Sequence, residues 1–273
     1  MTIIEDPLDD RRLRHDAGLA LGAVATEDVL RQVLTKLQQP DLDEVAKRYY
    51  VAALWQRPSR ALTSDLLALV TNAETPPDVK RAAALAIGYA ADPAVDERVR
   101  QLLDDATTRR EAAFMVVLGG SDANARALLE VLASDAELQQ VILYSIRDDE
   151  MNSFNLVTRS AFESGEVWRR LSVAHLLNEG EGNNRHGYLW NHIIERLRAG
   201  WDGHDGQTPR QIRELLWDAL RGDDAERRVL AARVMAAMDE RGLLMAARDQ
   251  DGPGAQEARE QLRRLNAVQQ NQR

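Results

Sequence analysis

The sequence predicts an all-α fold built from repeated antiparallel helix pairs, and three observations carry that prediction. No stretch sustains a polar/apolar alternation of period two and no Asn-Gly hairpin turn occurs, so strands have no support. Apolar residues recur instead at the spacing of helical faces along most of the chain. The helical segments also come in pairs that return about every 33 residues.

The clearest pair is "VKRAAALAIGYAADPAVDERVRQLL", Val79 to Leu103. Its "AAALAIGYA" is apolar all round, which predicts an inner helix covered on at least two sides. Asp92 and Pro93 then supply cap and first-turn chemistry, and Val95, Val99, Leu102 and Leu103 mark one face of a half-exposed helix. So short a pair cannot bury both of its faces alone and needs neighbours of its own kind.

Those neighbours follow in order. The first copy, "HDAGLALGAVATEDVLRQVLTKL", sets Leu19-Ala20-Leu21-Gly22 two such periods before Leu85-Ala86-Ile87-Gly88. In the second, "KRYYVAALWQRPSRALTSDLLALV", Lys47 and Arg48 stand one period before Lys80 and Arg81. The fourth, "RREAAFMVVLGGSDANARALLEVL", places Arg110 a slightly shorter interval after Arg81. "LQQVILYSIRDDEMNSFNLVTRSAF" continues the rhythm more loosely and "WRRLSVAHLLNEG" opens a sixth copy. Thr26, Thr63 or Ser64, Asp92, Ser121 and Asn152 each precede a second helix as its expected N-cap.

The stretch Val79–Leu103 resembles the short bacterial HEAT-like repeat named after the phycobilisome lyases: a valine, a basic residue, an alanine-rich helix, a glycine, then Asp-Pro before the second helix. Arg14–Leu37 and Arg109–Leu132 resemble it less closely. The resemblance implies an α-solenoid, a right-handed superhelix of stacked antiparallel helix pairs that offers an extended surface to a partner. It also implies two alternatives. One is a bilin lyase or bilin-chaperone-like subunit acting on a phycobiliprotein; the other is a DNA-handling protein with a basic groove.

The expected organisation is a repeat array over 8–180, an irregular insertion over 181–207 with a short helix near Tyr188 to Arg198, a helical cap over 208–266 continuous with the array, and a frayed tail over 267–273. In the cap, Thr208 is the expected N-cap with Pro209 at the first helical position. Leu215, Leu216, Ala219 and Leu220 form one apolar face there, and Val229, Leu230, Val234, Met235 and Met238 form another.

The formal net charge is -9, and acids outnumber bases 33 to 23 before Gln207, which opposes binding to a phosphate backbone. The chain has no cysteine, so it offers no disulfide, thiol nucleophile or thiolate metal site. No leader pattern and no long uninterrupted apolar run occurs, and the expectation is a cytoplasmic protein without membrane insertion.

Catalytic templates fail in turn. There is no Gly-x-Ser-x-Gly elbow, no phosphate-binding Gly-x-x-x-x-Gly-Lys and no dinucleotide fingerprint, so no cofactor is expected. His186 and His192 are six apart, which does not place both on one helical face, and "WDGHDG" lacks the acidic alternation of a calcium loop. The acidic run at Arg147 to Glu150 is what a helix N-terminus prefers, and His15 and His175 read as inner-helix core residues.

The expected function is therefore a non-enzymatic scaffold or adaptor that binds another protein or peptide, with the oligomeric state left open. The candidate contacts are Trp201, flanked by glycines at 200 and 203, with His204 beside it, and the aromatics Tyr49, Tyr50 and Trp55. Trp190 is expected to pack inside.

Overall fold

The structure, a computed structural model, describes residues 2–6, 10–56, 58–148, 156–179, 187–250 and 252–271. Leu8, Arg57, Glu150, Asn152, Gly180 and His186 lie outside the described residues, as does the side chain of Trp55. The described residues are all-α: outside the helices the only sheet-type pairing among them is an isolated bridge between Thr158 and Gly206. No helix among them is long and apolar enough to cross a membrane. The chain divides into two compact units, Met1–Ile142 and Leu143–Arg273.

The first unit opens with α1 (Thr2–Glu5) and continues through α2 (Arg11–Val24), α3 (Glu27–Leu37), α4 (Glu44–Gln56), α5 (Thr63–Thr71), α6 (Pro77–Ala90), α7 (Asp96–Asp104), α8 (Arg109–Gly119) and α9 (Asp122–Ser134). Helix α10 (Ala136–Asp148) runs across the division. Short 3-10 turns, Arg60–Leu62 and Pro93–Val95, lead into α5 and α7. Helices α2, α4, α6 and α8 start at Arg11, Glu44, Pro77 and Arg109, an interval constant to within a single position. Helix α2 packs on α4, α4 on α6 and α6 on α8, while α3, α5 and α7 pack on α4, α6 and α8 respectively. The periodicity of the sequence is thus a periodicity of packing.

The sequence explains why these helices meet so closely. Every residue of α6 from Ala82 to Ala90 except Leu85 is buried, as its all-round apolar composition requires. Gly119 lies so near α6 that an added Cβ would overlap the carbonyl oxygen of Gly88. Gly88 in turn faces Met115 and Leu118 of α8. Helix α6 ends at Ala91, which adopts left-handed geometry with φ 46° and donates its N–H to the carbonyls of Ile87 and Gly88.

Polar groups tie each copy to the next. Ser59 Oγ donates to Glu27 Oε1 at 3.1 Å, and the guanidinium of Arg60 donates to the Ala90 carbonyl at 3.1 Å. Thr63 Oγ1 donates to Asp92 Oδ2 at 2.7 Å, and the buried amide of Asn124 donates to the Asp96 carbonyl at 3.0 Å. Thr26, Asp92 and Ser121 cap their helices through their side chains as expected. The second copy differs: its helical turn starts at Arg60, so Thr63 falls inside the helix and bonds the next copy's cap instead.

The second unit contains α11 (Arg159–Glu163), α12 (Glu166–Glu179), α13 (Gly187–Ala199), α14 (Pro209–Arg221), α15 (Ala225–Ala237), α16 (Arg241–Arg248) and α17 (Ala255–Asn271). Helix α13 occupies the short-helix position expected within the irregular stretch. Helix α12 packs on α11, α13 and α15, and α15 packs on α14, α16 and α17, so the contact from α12 to α15 passes over two intervening helices. Thr208 caps α14 in a reciprocal box with Gln211, and Pro209 holds the first helical position. Ile212, Leu216 and Leu220 give α14 its buried stripe, against Leu230, Ala231, Val234 and Met235 of α15 as the core of its neighbour. Helix α17 extends to Asn271, into the segment read as a tail, with 266–270 exposed.

Candidate partner-binding sites

The candidate aromatics do not form one cluster. Tyr49 and Tyr50 sit on α4 in the first unit, whereas Trp201 and His204 sit on the loop between α13 and α14 in the second. Trp55 lies on α4, with its side chain outside the described residues.

Tyr49 is half-buried: its hydroxyl donates to the Arg11 carbonyl at 3.1 Å, and its ring meets the His15 ring edge-on at 5.8 Å. A Cβ on Gly18 would fall 2.9 Å from Tyr49 Cβ, so this residue chiefly seats α2 on α4. Tyr50, grouped by sequence with the exposed aromatics, is 0 % exposed. Its hydroxyl donates to Glu5 Oε1 at 2.5 Å, and Lys36 Nζ reaches the same carboxylate at 3.1 Å. Burial, then the Glu5 bond, push the phenol's pKa up, while the Tyr50 bond, ahead of Lys36, holds Glu5 below its ordinary value. Tyr50 is therefore a core anchor for α1, unavailable to a partner. His15, expected in the core, is exposed beside Asp16.

The loop from Gly200 to Thr208 is a built structure. Trp201 N–H donates to the Gln207 carbonyl at 2.7 Å and Gly206 N–H donates to Gly203 at 2.9 Å, which closes the turn on itself. The turn is fixed from outside as well: Gln207 N–H donates to Val157, Arg159 N–H to the Asp205 carbonyl, and Ser160 Oγ to Asp205 Oδ2. The Trp201 ring lies on Gly203, where a Cβ would overlap Cζ2 of the indole. One face of the indole is so covered, and the residue remains 37 % exposed with His204 exposed beside it. The turn thus presents an aromatic ring and an imidazole on a rigid backbone. Trp190 is buried as expected, with its ring 5.6 Å from that of the buried His175.

A cavity of about 340 Å³ in the second unit was not visible in the sequence. Phe162 and Trp168 line it, edge to face at 6.0 Å, with Glu163, Asp218, Asp223 and Asp224 among the other lining residues. Arg227 lies 6.0 Å over the Trp168 ring and pairs with Asp224 at 3.3 Å, so the chain's own cation already covers the aromatic face. The parts come from α11, α12, α14 and α15, and no local motif announces them. Among the described residues, no group of three or more histidine, aspartate or glutamate side chains is arranged to hold a metal ion.

No family model and no curated protein matches this chain.

Proposed function

We propose that the protein is a non-enzymatic scaffold: a HEAT-like α-solenoid segment whose ridged surface binds another protein or peptide. The observation that carries this reading is the packing of the first unit, where the helix pairs that begin at Arg11, Glu44, Pro77 and Arg109 each rest on the next. Stacks of this kind grow along one axis and leave long faces open to a partner. The excess of acid before Gln207 favours a partner with a basic face. In the second unit, the exposed Trp201 on its pinned turn has the character of an interface anchor.

The test is capture with the full chain as bait in native lysate. Wild-type protein is expected to retain a defined partner at physiological salt. Charge reversal of two exposed acids, Glu74→Lys with Glu130→Lys, is expected to weaken retention without altering the thermal melt. Turnover of a small molecule by protein that retains no partner would overturn the proposal.

A further inference from the structure

We propose that the cavity between α11, α12, α14 and α15 is a receptor for an arginine side chain of the partner. The inference rests on the reading of the protein as a scaffold and names the group that a partner inserts there.

The chain's own Arg227 shows what these walls accommodate. Its guanidinium lies 6.0 Å over the Trp168 ring, and its Nε pairs with Asp224 Oδ2 at 3.3 Å. Gly165, at φ 86°, leaves room for it: a Cβ there would fall 3.4 Å from Arg227 Nη2. An aromatic face, a carboxylate and a glycine gap together make a guanidinium slot. Arg227 fills that slot, and the cavity of about 340 Å³ remains open beside it. Its volume falls at the lower end of the roughly 300–1,000 Å³ of ligand pockets.

Charge selects the occupant. The lining carries four acids, Glu163, Asp218, Asp223 and Asp224, against Arg227 as its one base. Asp224 is committed, because it caps α15 through Oδ1 and pairs with Arg227 through Oδ2. Glu163, Asp218 and Asp223 are exposed, and among the described residues none of their carboxylates takes part in a hydrogen bond or ion pair. Asp218 also lies in the last turn of α14, where the negative end of the helix dipole adds to its own charge. Such a mouth attracts a cation.

The spacing of the acids and the rest of the lining specify which cation. Among the described residues, no three carboxylates are grouped to converge on one metal ion. A guanidinium suits separated carboxylates, since its five N–H donors spread over a plane, whereas an ammonium is a compact point charge. Phe162, Leu215 and Ala219 supply apolar walls for the methylene stem of the incoming arginine.

The test titrates the isotope-labelled full chain with acetyl-Ala-Arg-Ala-amide and follows its backbone amide signals. Matched peptides carry lysine, or citrulline, which keeps the shape of arginine without the charge. The arginine peptide is expected to give saturable shifts confined to the residues around the cavity, the lysine peptide to bind several-fold more weakly, and the citrulline peptide to give none. Asp218→Asn with Asp223→Asn should weaken binding of the arginine peptide by about tenfold or more without lowering the thermal midpoint, because neither carboxylate has a partner in the fold. Absence of shifts, equal binding of the lysine or citrulline peptide, shifts spread over acidic surfaces remote from the cavity, or undiminished binding by the double variant would overturn the proposal. Capture of a partner from lysate by a chain whose cavity ignores the arginine peptide would remove this proposal and leave the scaffold reading standing. Peptide binding at the cavity of a chain that captures nothing would do the reverse.

Discussion

Two glycines show how far the cost of one methyl group depends on its surroundings. Gly119 has the Gly88 carbonyl and Ala91 Cβ where its own side chain would be, whereas Gly242 has nothing within 4 Å. Gly119→Ala should push α8 from α6 and cost about 1–3 kcal/mol, by the usual penalty of overpacking. Gly242→Ala should be neutral or stabilise by up to about 1 kcal/mol, because it removes chain freedom from the unfolded state. Urea denaturation of the two variants beside wild type checks both, and equal effects would contradict the close helix crossing. At this scale the sequence was least informative. Tyr49 and Tyr50 are neighbours of the same type, yet one is half-buried and the other sealed beneath α1, because adjacent helical residues point about 100° apart. Nothing local could reveal that the distant Glu5 accepts the Tyr50 hydroxyl.

Among the elements, α1 is held by the buried Ile4 side chain together with a set of polar contacts, and its docking should depend on pH. Glu5 takes bonds from Tyr50 and Lys36, while Arg14 donates to the Ile4 carbonyl and to Asp43. Both carboxylates have depressed pKa values, Glu5 chiefly through Tyr50 and Asp43 chiefly through Arg14. Their contribution is thus complete above the ordinary values of 4.5 and 3.8 and is lost as pH falls through the lower folded-state values. Thermal melts from neutral pH down to strong acid should show this loss, and Glu5→Gln should flatten part of it. The cap at Asp92 has two tasks, accepting the Ala94 N–H and the Thr63 hydroxyl. Asp92→Ala should cost about 1–2 kcal/mol, in the upper part of the range for a single cap. Asp92→Asn should recover much of that cost in the same denaturation assay. Elements were the most legible level in the sequence: helical spacing, cap residues and the repeat period all have local causes. The exception was Thr63, whose hydroxyl serves the following copy and whose place inside the helix follows from a turn that begins at Arg60.

For the whole molecule, the cavity by Trp168 and the skipped contact from α12 to α15 were beyond the sequence, since each needs residues from helices without a shared period. The first unit was legible because each copy meets chiefly its neighbours. Nearest-neighbour packing also sets where the chain opens: a copy covered on two sides is held more firmly than one at an edge. Amide exchange should accordingly be slowest in α6 and α8, whose residues are mostly buried, and fastest at the exposed end of α17. Protection in α17 equal to that in α6 would contradict this order. The polar ties between copies join residues only 28 to 32 positions apart. No tie in that series waits for a distant part of the chain. During synthesis, each copy can lock onto its predecessor as soon as roughly one further repeat has left the ribosome, so the first unit is suited to fold by accretion from its N-terminal side while translation continues.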